Sequence, residues 1–222
     1  MILNSLTAIS PIDGRYHAKT SELRPYFSEF ALIKYRVIVE IKYLIDLAEE
    51  GIEGMHDFPK DKIANLENII TSFSEVDAIW IKETEKVTNH DVKAVEYFVK
   101  EKMREMGLEQ YLEFVHFGLT SQDINNTAIP LSIKEAMQEV YVPSYRKVLE
   151  RLEELVIEWE DVSMLARTHG QPASPTRLGK EIAVFVTRLQ EQFNLLNKIP
   201  NAAKFGGATG NFNAHKVAYP SI

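Results

Sequence analysis

The chain has 222 residues, of which 45% are hydrophobic and 26% are charged, so it is long enough to bury a sizeable core. Its formal net charge of -7 argues against nonspecific nucleic-acid binding, because that needs a basic face to neutralise phosphates. The absence of cysteine excludes disulfides and thiolate metal sites, and no apolar stretch approaches the roughly 20 residues of a membrane span. We therefore expect no nucleic-acid or membrane partner, and the lack of cysteine is compatible with the cytoplasmic location that we expect.

The first half of the sequence predicts short helices, because its apolar residues recur at spacings of three or four. The first helix begins at Phe27 and is ended by Gly51. A shorter helix has its buried stripe within residues 63–73. Ser74 and Asp77 then form a capping pair that opens a third helix.

A further helix follows, capped by either Asn89 or Asp91 and ended by Gly107. Beyond that point the predicted helices become longer and the Gly and Asp connectors between them become rarer. We place a domain boundary at this change. Residues 1–114 are predicted to form a small N-terminal helical domain, and residues 115–222 the first part of a central bundle of long helices.

The second half opens with Thr120 and Asp123, which form another capping pair ahead of a long apolar stripe. Pro130 and Pro143 interrupt this stretch, so we expect a kinked or segmented helix that continues to about residue 159. No segment shows sustained strand alternation, and the sequence therefore predicts an all-α fold.

Residues 167–180 read RTHGQPASPTRLGK and combine an ionisable imidazole with two fixed backbone positions. Pro172 and Pro175 each lock their own φ and push the preceding residue towards extended geometry. Ser174 and Pro175 suit the cap and first position of a helix, so a new helix is predicted to begin at Pro175. His169 then lies in a short polar connection, where it acts either as a catalytic group or as a structural hydrogen-bonding residue.

The stretch RTHGQPASPT, with the Gly179 and Lys180 that follow it, resembles the histidine signature of the adenylosuccinate lyase branch of the fumarase and aspartase superfamily. Relatives of the fumarase or argininosuccinate lyase type usually have Leu after this histidine, whereas this chain has Gly170. The resemblance runs along the whole chain, through SPIDGRY, TNHDVKAVE, GLTSQDINNT and a glycine-rich turn at 206–211. It implies a fumarase/aspartase-like helical fold.

The same resemblance implies the substrate contacts. An arginine and a tyrosine hold the phosphate of the nucleotide, the segment of residues 89–91 contacts the substrate and supports the catalytic histidine, and two hydroxyl residues bind the succinyl part. The corresponding substrate-binding residues are Arg15, Tyr16, Asn89, His90, Asp91, Thr120 and Ser121. Taken alone, these segments are equally explained as helix caps and a surface turn.

The resemblance further implies an enzyme of purine biosynthesis, a homotetramer with sites built from three subunits. It cleaves adenylosuccinate to AMP and fumarate, and the related succinylated carboxamide ribotide to its carboxamide product and fumarate. We expect His169 to be the general acid that protonates the departing nitrogen, without a cofactor. We also expect no metal, since no HExxH pattern occurs.

The general base of such enzymes is a serine in a GSSxMPxKxNP-type loop, and this signature is absent from residues 1–222. We therefore expect a truncated or proteolysed form that is inactive alone. Two alternatives stay open. The chain is another member of the superfamily, such as a fumarase, aspartase or argininosuccinate lyase, or it is a helical interaction scaffold whose polar segments are only caps.

Overall fold

The structure, a computed structural model, describes residues 5–220, and most of them are helical. The chain forms two compact units. One comprises the residues up to Lys134 together with those from Ala202 onward, and the other comprises Glu135–Asn201. The all-α fold class is confirmed, whereas the domain boundary between residues 114 and 115 stays a prediction.

The helices and strands follow one another along the chain, and the longest connection between them joins α8 to α9. The α-helices are α1 (Arg24–Phe27), α2 (Glu29–Glu50), α3 (Ile63–Thr71), α4 (Glu75–Thr88), α5 (Asp91–Glu105), α6 (Ser121–Ala136), α7 (Val142–Glu158), α8 (Leu178–Leu196) and α9 (Asn213–Ala218). The strands are β1 (Ser163–Thr168) and β2 (Gln171–Arg177). Short 3-10 segments span Ser21–Leu23, Lys60–Lys62 and Glu109–Phe114, and a π-helical segment spans Met137–Tyr141.

Helix α2 is the central element of the first unit. It begins where the Ser28 hydroxyl accepts a hydrogen bond from the amide of Ala31, and it ends at Gly51, which adopts a left-handed φ of 61°. Its buried face packs against α3, α4 and α5 in one large apolar cluster. The predicted end of this helix is confirmed, and so is the capping pair of Ser74 and Asp77 at the start of α4.

The cap of α5 differs from the prediction. Asn89 ends α4 in a left-handed conformation, with φ of 50°, and Asp91 is already the first residue of α5. The residue between them, His90, caps the helix, because its ring Nδ1 accepts a hydrogen bond from the amide of Lys93 at 3.1 Å. An imidazole nitrogen therefore caps this helix, in place of the amide or carboxylate oxygen that the sequence predicts.

The second unit contains α7, the hairpin of β1 and β2, and α8. The predicted segmentation is confirmed near Pro143, where a π-helical turn precedes α7, whereas Pro130 lies inside α6 and does not end it. The hydroxyl of Tyr145 donates to the carbonyl of Leu189 at 2.8 Å, and its ring stacks on Phe193. A Cβ at Gly179 would lie 2.4 Å from a carbonyl of α7, so only glycine allows this close approach.

The hairpin corrects the predicted connection around His169. β1 and β2 are antiparallel, and His169 and Gly170 form the two-residue turn between them, with φ values of 52° and 78°. Positive φ at both positions matches the right-handed twist of a hairpin. His169 does lie in a short connection as predicted, but the predicted helix start at Pro175 is wrong, because Pro175 pairs with Leu165 and α8 begins three residues later.

Within residues 5–220, the helices are all too short or too polar to cross a membrane.

Candidate functional site

The start of α5 presents a polar segment at the surface of the first unit. His90 is half-exposed, and because its Nδ1 accepts the Lys93 amide, the ring proton of the neutral form lies on Nε2. The hydroxyl of Thr88 donates to the carbonyl of His90, which fixes the turn. Asn89 is exposed. His90 is thus held as a hydrogen-bond donor at a helix N-terminus, where anions are favoured.

Arg36 of α2 joins this segment to α6. Its guanidinium donates to the carboxylate of Asp91 at 2.6 Å and to the side-chain oxygen of Asn125 at 2.9 Å. Arg36 itself is buried, with 7% of its surface exposed. Burial acts to raise the pKa of Asp91, but the Val92 amide and the Arg36 charge outweigh it and hold that pKa below its ordinary value.

The start of α6 is organised by the carboxylate of Asp123, which is fully buried. One oxygen, Oδ2, accepts the amide and the hydroxyl of Thr120, each at 2.8 Å, so the predicted capping pair is confirmed. Because a hydroxyl has a single hydrogen, that of Thr120 is engaged with Asp123. Ser121, the next residue, is half-buried.

The other oxygen of Asp123, Oδ1, holds the glycine-rich segment of residues 206–211. It accepts the ammonium of Lys204 at 2.7 Å and the amides of Gly206 and Gly207 at 2.9 and 3.1 Å. Burial acts to raise the pKa of this carboxyl, but the Lys204 ammonium and the donated N–H and O–H groups keep it well below its ordinary value. The predicted tight turn is confirmed by a bond from the Gly210 amide to the Gly207 carbonyl at 3.3 Å, and the Phe212 amide closes the segment by donating to the Gly206 carbonyl at 2.9 Å.

A cavity of about 270 Å³ lies between these two segments. Its lining residues are Gly118, Leu119, Thr120, Gly207, Ala208, Thr209, Asn213 and Ala214. The volume is slightly below the roughly 300–1,000 Å³ of sites for drug-sized molecules, which suits a small molecule or one end of a larger one. The first turn of α6 has free backbone N–H groups, so this position favours an anionic group such as a carboxylate.

Two side chains of α2 hold the loop that leads into α6. The ring of His116 lies 2.6 Å from a carboxylate oxygen of Glu40, and the hydroxyl of Tyr43 donates to the carbonyl of Phe117 at 2.8 Å. His215 of α9 in turn donates from Nε2 to the oxygen of Tyr43, at 2.7 Å. Glu40 is completely buried.

These buried groups have shifted pKa values. Burial raises the pKa of Glu40, and its second oxygen, Oε2, has no hydrogen-bond partner within the described residues. Burial acts to lower the pKa of His116, but the bond and charge of Glu40 outweigh it and raise the pKa. Burial lowers the pKa of His215. The loop before α6 is therefore fixed by side chains that are sensitive to protonation.

The predicted phosphate-binding pair lies in the N-terminal segment of the first unit. The guanidinium of Arg15 lies over the ring of Tyr16, 5.2 Å from its centre, and both residues are exposed. Neither is joined by a hydrogen bond or ion pair to the segments at 89–91 and 120–121 within the part of the chain that the structure describes. Their role in phosphate binding stays a prediction.

His169 belongs to the second unit, where it is exposed at the tip of the hairpin. The two-residue turn fixes its backbone, and two prolines stiffen the strand that follows. Its assignment as a general acid stays a prediction, as do the substrate contacts of the other named residues.

A larger cavity, of about 840 Å³, lies between the C-terminal part of α2 and residues 205–219. Aromatic rings form much of its wall, and the carboxylates of Asp46, Glu50 and Glu53 face it against the single lysine Lys216. This charge balance disfavours a ligand that carries carboxylates or a phosphate. Among residues 5–220, no cluster of three or more His, Cys, Asp or Glu side chains is suited to holding a metal ion.

Sequence reasoning missed Arg36, Glu40 and Lys204, and it gave His116 and His215 no role. The partners of these residues are far away in sequence, 76 positions for Glu40 and His116 and 81 for Asp123 and Lys204. Spacing along a helix carries no signal for such pairs. A charged residue on the otherwise apolar face of α2 was the available sign for Arg36 and Glu40.

Comparison with known proteins identifies the family. A family model described as "Lyase" matches residues 14–222. The adenylosuccinate lyase of Dictyostelium discoideum is 55% identical over 226 residues, covering 99% of this chain and 48% of that protein. The adenylosuccinate lyase of Escherichia coli K12 is 47% identical over 224 residues, covering 100% of this chain and 49% of that protein. The chain therefore spans about half the length of the curated relatives that it matches.

Solved structures agree at the level of the fold. A fumarate lyase from Mesorhizobium sp. BNC1 has a TM-score of 0.70 at 22% identity, covering 87% of this chain and 44% of that one. The 3-carboxy-cis,cis-muconate lactonizing enzyme of Pseudomonas putida has a TM-score of 0.67 at 20% identity, covering 88% of this chain and 43% of that one. The resemblance noted in the sequence is thus confirmed, and because the family model matches nearly all of its residues, the chain belongs to the lyase family.

Proposed function

We propose that this chain takes part in the adenylosuccinate lyase reaction, a β-elimination that breaks a C–N bond and releases fumarate. The substrates are adenylosuccinate, which gives AMP, and the succinylated carboxamide ribotide of purine synthesis. The observation that carries the proposal is 55% identity to an adenylosuccinate lyase, which extends over 99% of the chain and includes the histidine signature. The alternative of a helical scaffold explains each motif singly but not their joint occurrence.

Elimination requires a base for the carbon-bound proton, an acid for the departing nitrogen and donors for the carboxylate that takes up negative charge. The cavity at the start of α6 supports the third of these requirements, because its lining residue Thr120 directly precedes the helix, whose first N–H groups and Ser121 hydroxyl follow it in sequence. We assign the succinyl end of the substrate to this cavity, with Thr120 as part of its wall.

The acid is assigned to His169, whose turn presents the imidazole outside the hairpin. The carboxylates and the phosphate of a bound substrate favour the protonated ring that an acid needs. Asn89, His90 and Asp91 contact the substrate at the start of α5, and Arg15 with Tyr16 holds its phosphate. An arginine suits this task because its planar guanidinium forms paired hydrogen bonds with phosphate oxygens.

The base is assigned to a serine loop outside residues 1–222, since the chain lacks the corresponding signature. We further propose that the working enzyme is a cytoplasmic homotetramer. Large apolar side chains of the second unit remain exposed, among them Ile157 at 69% and Phe185 at 56%, and association of copies would cover them.

Fumarate release from adenylosuccinate tests the proposal. The chain is assayed alone and as a hybrid in which residues 1–222 replace the matching half of the Escherichia coli relative. We expect no turnover from the chain alone and clear turnover from the hybrid. Malate and argininosuccinate serve as control substrates for other members of the superfamily. A folded hybrid that binds neither adenylosuccinate nor fumarate would contradict the proposal.

A further inference from the structure

The carboxylate of Asp123 connects the two walls of the cavity at the start of α6. Thr120 on one wall donates its amide and hydroxyl to Oδ2, and Gly207 on the other wall donates its amide to Oδ1. Five donors converge on this one side chain, which is fully buried. Helix capping accounts for Oδ2 alone, so the bonds of Oδ1 need a separate explanation.

The charge of Asp123 matters for any anion in the cavity. A bare carboxylate beside the cavity would repel a ligand carboxylate, and in a buried position that repulsion is weakly screened. The ammonium of Lys204, 2.7 Å from Oδ1, cancels the negative charge, and the four remaining donors spread it further. The pair therefore leaves the wall close to neutral while it keeps the two segments together.

The hydroxyl of Thr120 is affected as well. Its hydrogen points to Asp123, so it is not available to a ligand. The nearest donors along the chain are the N–H groups of the first turn of α6 and the hydroxyl of Ser121, which directly follows the lining residue Thr120. We propose that Asp123, neutralised by Lys204, is a positioning residue that sets the spacing of the cavity walls and directs a dicarboxylate to Ser121 and the helix amides. This inference rests on the proposed function and assigns it two residues beyond the substrate contacts and the acid.

Two measurements on the chain itself test the inference. Hydrogen exchange of the Gly206 and Gly207 amides reports whether the walls are joined, and titration with fumarate, followed by the amide signals of Ser121 and Gly207, reports ligand binding. For Asp123→Asn we expect about tenfold faster exchange at both glycines and about tenfold weaker fumarate binding. Lys204→Met should also weaken fumarate binding, because it removes the cation beside Asp123. Lys204→Arg keeps the cation and should bind fumarate about as tightly as the unsubstituted chain.

A variant of α3, Ile69→Ala, supplies the matched control, because Ile69 lies in the core of the same unit and lines no part of this cavity. It is compared with Asp123→Asn at conditions of equal fraction folded. A purely structural role predicts that both variants bind fumarate equally, and that result would overturn the inference. Unchanged glycine exchange in Asp123→Asn would overturn it too. If the unsubstituted chain binds no fumarate, the inference fails, whereas the proposed function is judged separately by the hybrid enzyme.

Discussion

The guanidinium of Arg36 lies 2.6 Å from the carboxylate of Asp91 and, through a second nitrogen, 2.9 Å from the side chain of Asn125. One buried residue of α2 therefore fixes the starts of two helices, and both helices carry predicted substrate contacts. The start of α5 and the start of α6 are separate in sequence, and the cation of Arg36 on α2 holds them close together. The proposed site depends on this cation although no motif contains it.

Arg36→Met should destabilise the first unit by about 2 kcal/mol, because it removes two hydrogen bonds of a charged group and leaves Asp91 without its cation. Chemical denaturation measures this change. Arg151→Met is the matched control, since Arg151 pairs only at the exposed surface of α7 with Glu154 and Glu158, and it should leave the unfolding midpoint unchanged. Equal effects of the two substitutions would show that the Arg36 contacts contribute little.

Gly118→Ala should be strongly destabilising, because the new Cβ would lie 2.5 Å from the ring of His215 at a backbone φ of 67°. Gly107→Ala is a matched control, with φ of 73° and no atom within 4 Å of the added Cβ. We expect about 1 kcal/mol for Gly107→Ala and about 2–3 kcal/mol for Gly118→Ala. Adding His215→Ala to Gly118→Ala should recover part of the difference, and no recovery would show that the ring is not the obstacle.

His116 should make stability fall as the pH rises. Its folded pKa is raised by Glu40 above the value of about 6.5 in the unfolded chain, so its contribution is complete below that pH and is lost as the pH rises through the folded pKa. The raised pKa of Glu40 acts in the same direction. The lowered pKa of His215 acts the other way, but its effect is complete once the pH exceeds the unfolded value of about 6.5. Urea midpoints measured from neutral to alkaline pH should therefore decline.

His116→Asn should flatten that decline, since asparagine tolerates the positive φ of 61° but cannot take the charge. The exposed His56, replaced by Gln, is the control and should leave the slope unchanged. A slope that is the same in His116→Asn and in the unsubstituted chain would refute the assignment.

Phe185→Glu should reduce self-association of the chain, because it places a charge on an apolar side chain of α8 that is 56% exposed. Sedimentation velocity measures the association state. Val87→Glu on α4, at a side chain that is 87% exposed, is the control and should not change it. A chain that sediments as a monomer before any substitution would count against the proposed oligomer.

The helix ends of the first unit could be predicted because their signals are local. Gly51 permits the left-handed cap that ends α2, and Ser74 with Asp77 satisfies the free amides of α4 within four residues. For α5 the sequence predicts Asn89 or Asp91 as the cap, whereas His90 is the cap, because an imidazole nitrogen is an uncommon capping acceptor.

The hairpin could not be predicted from periodicity. Pro172 and Pro175 suggest a break and a new helix, yet both are tolerated in β2, because a two-stranded sheet consists of edge strands. The turn of His169 and Gly170 lacks the usual Asn-Gly or Asp-Gly signal. The Asp123–Lys204 and Glu40–His116 pairs join segments far apart in sequence, so only the folded arrangement places them together.

The proposed mechanism depends above all on His169 as the acid. Fumarate formation by the hybrid enzyme in a single turnover, measured after quenching so that enzyme-bound product is counted, probes that assignment without the contribution of product dissociation. We expect His169→Gln to slow fumarate formation by about 10²–10⁴-fold while adenylosuccinate still binds, because the substitution removes the proton donor and keeps the polar side chain. The control His56→Gln should leave the rate unchanged. Near-normal fumarate formation by the His169→Gln hybrid would show that another group supplies the proton.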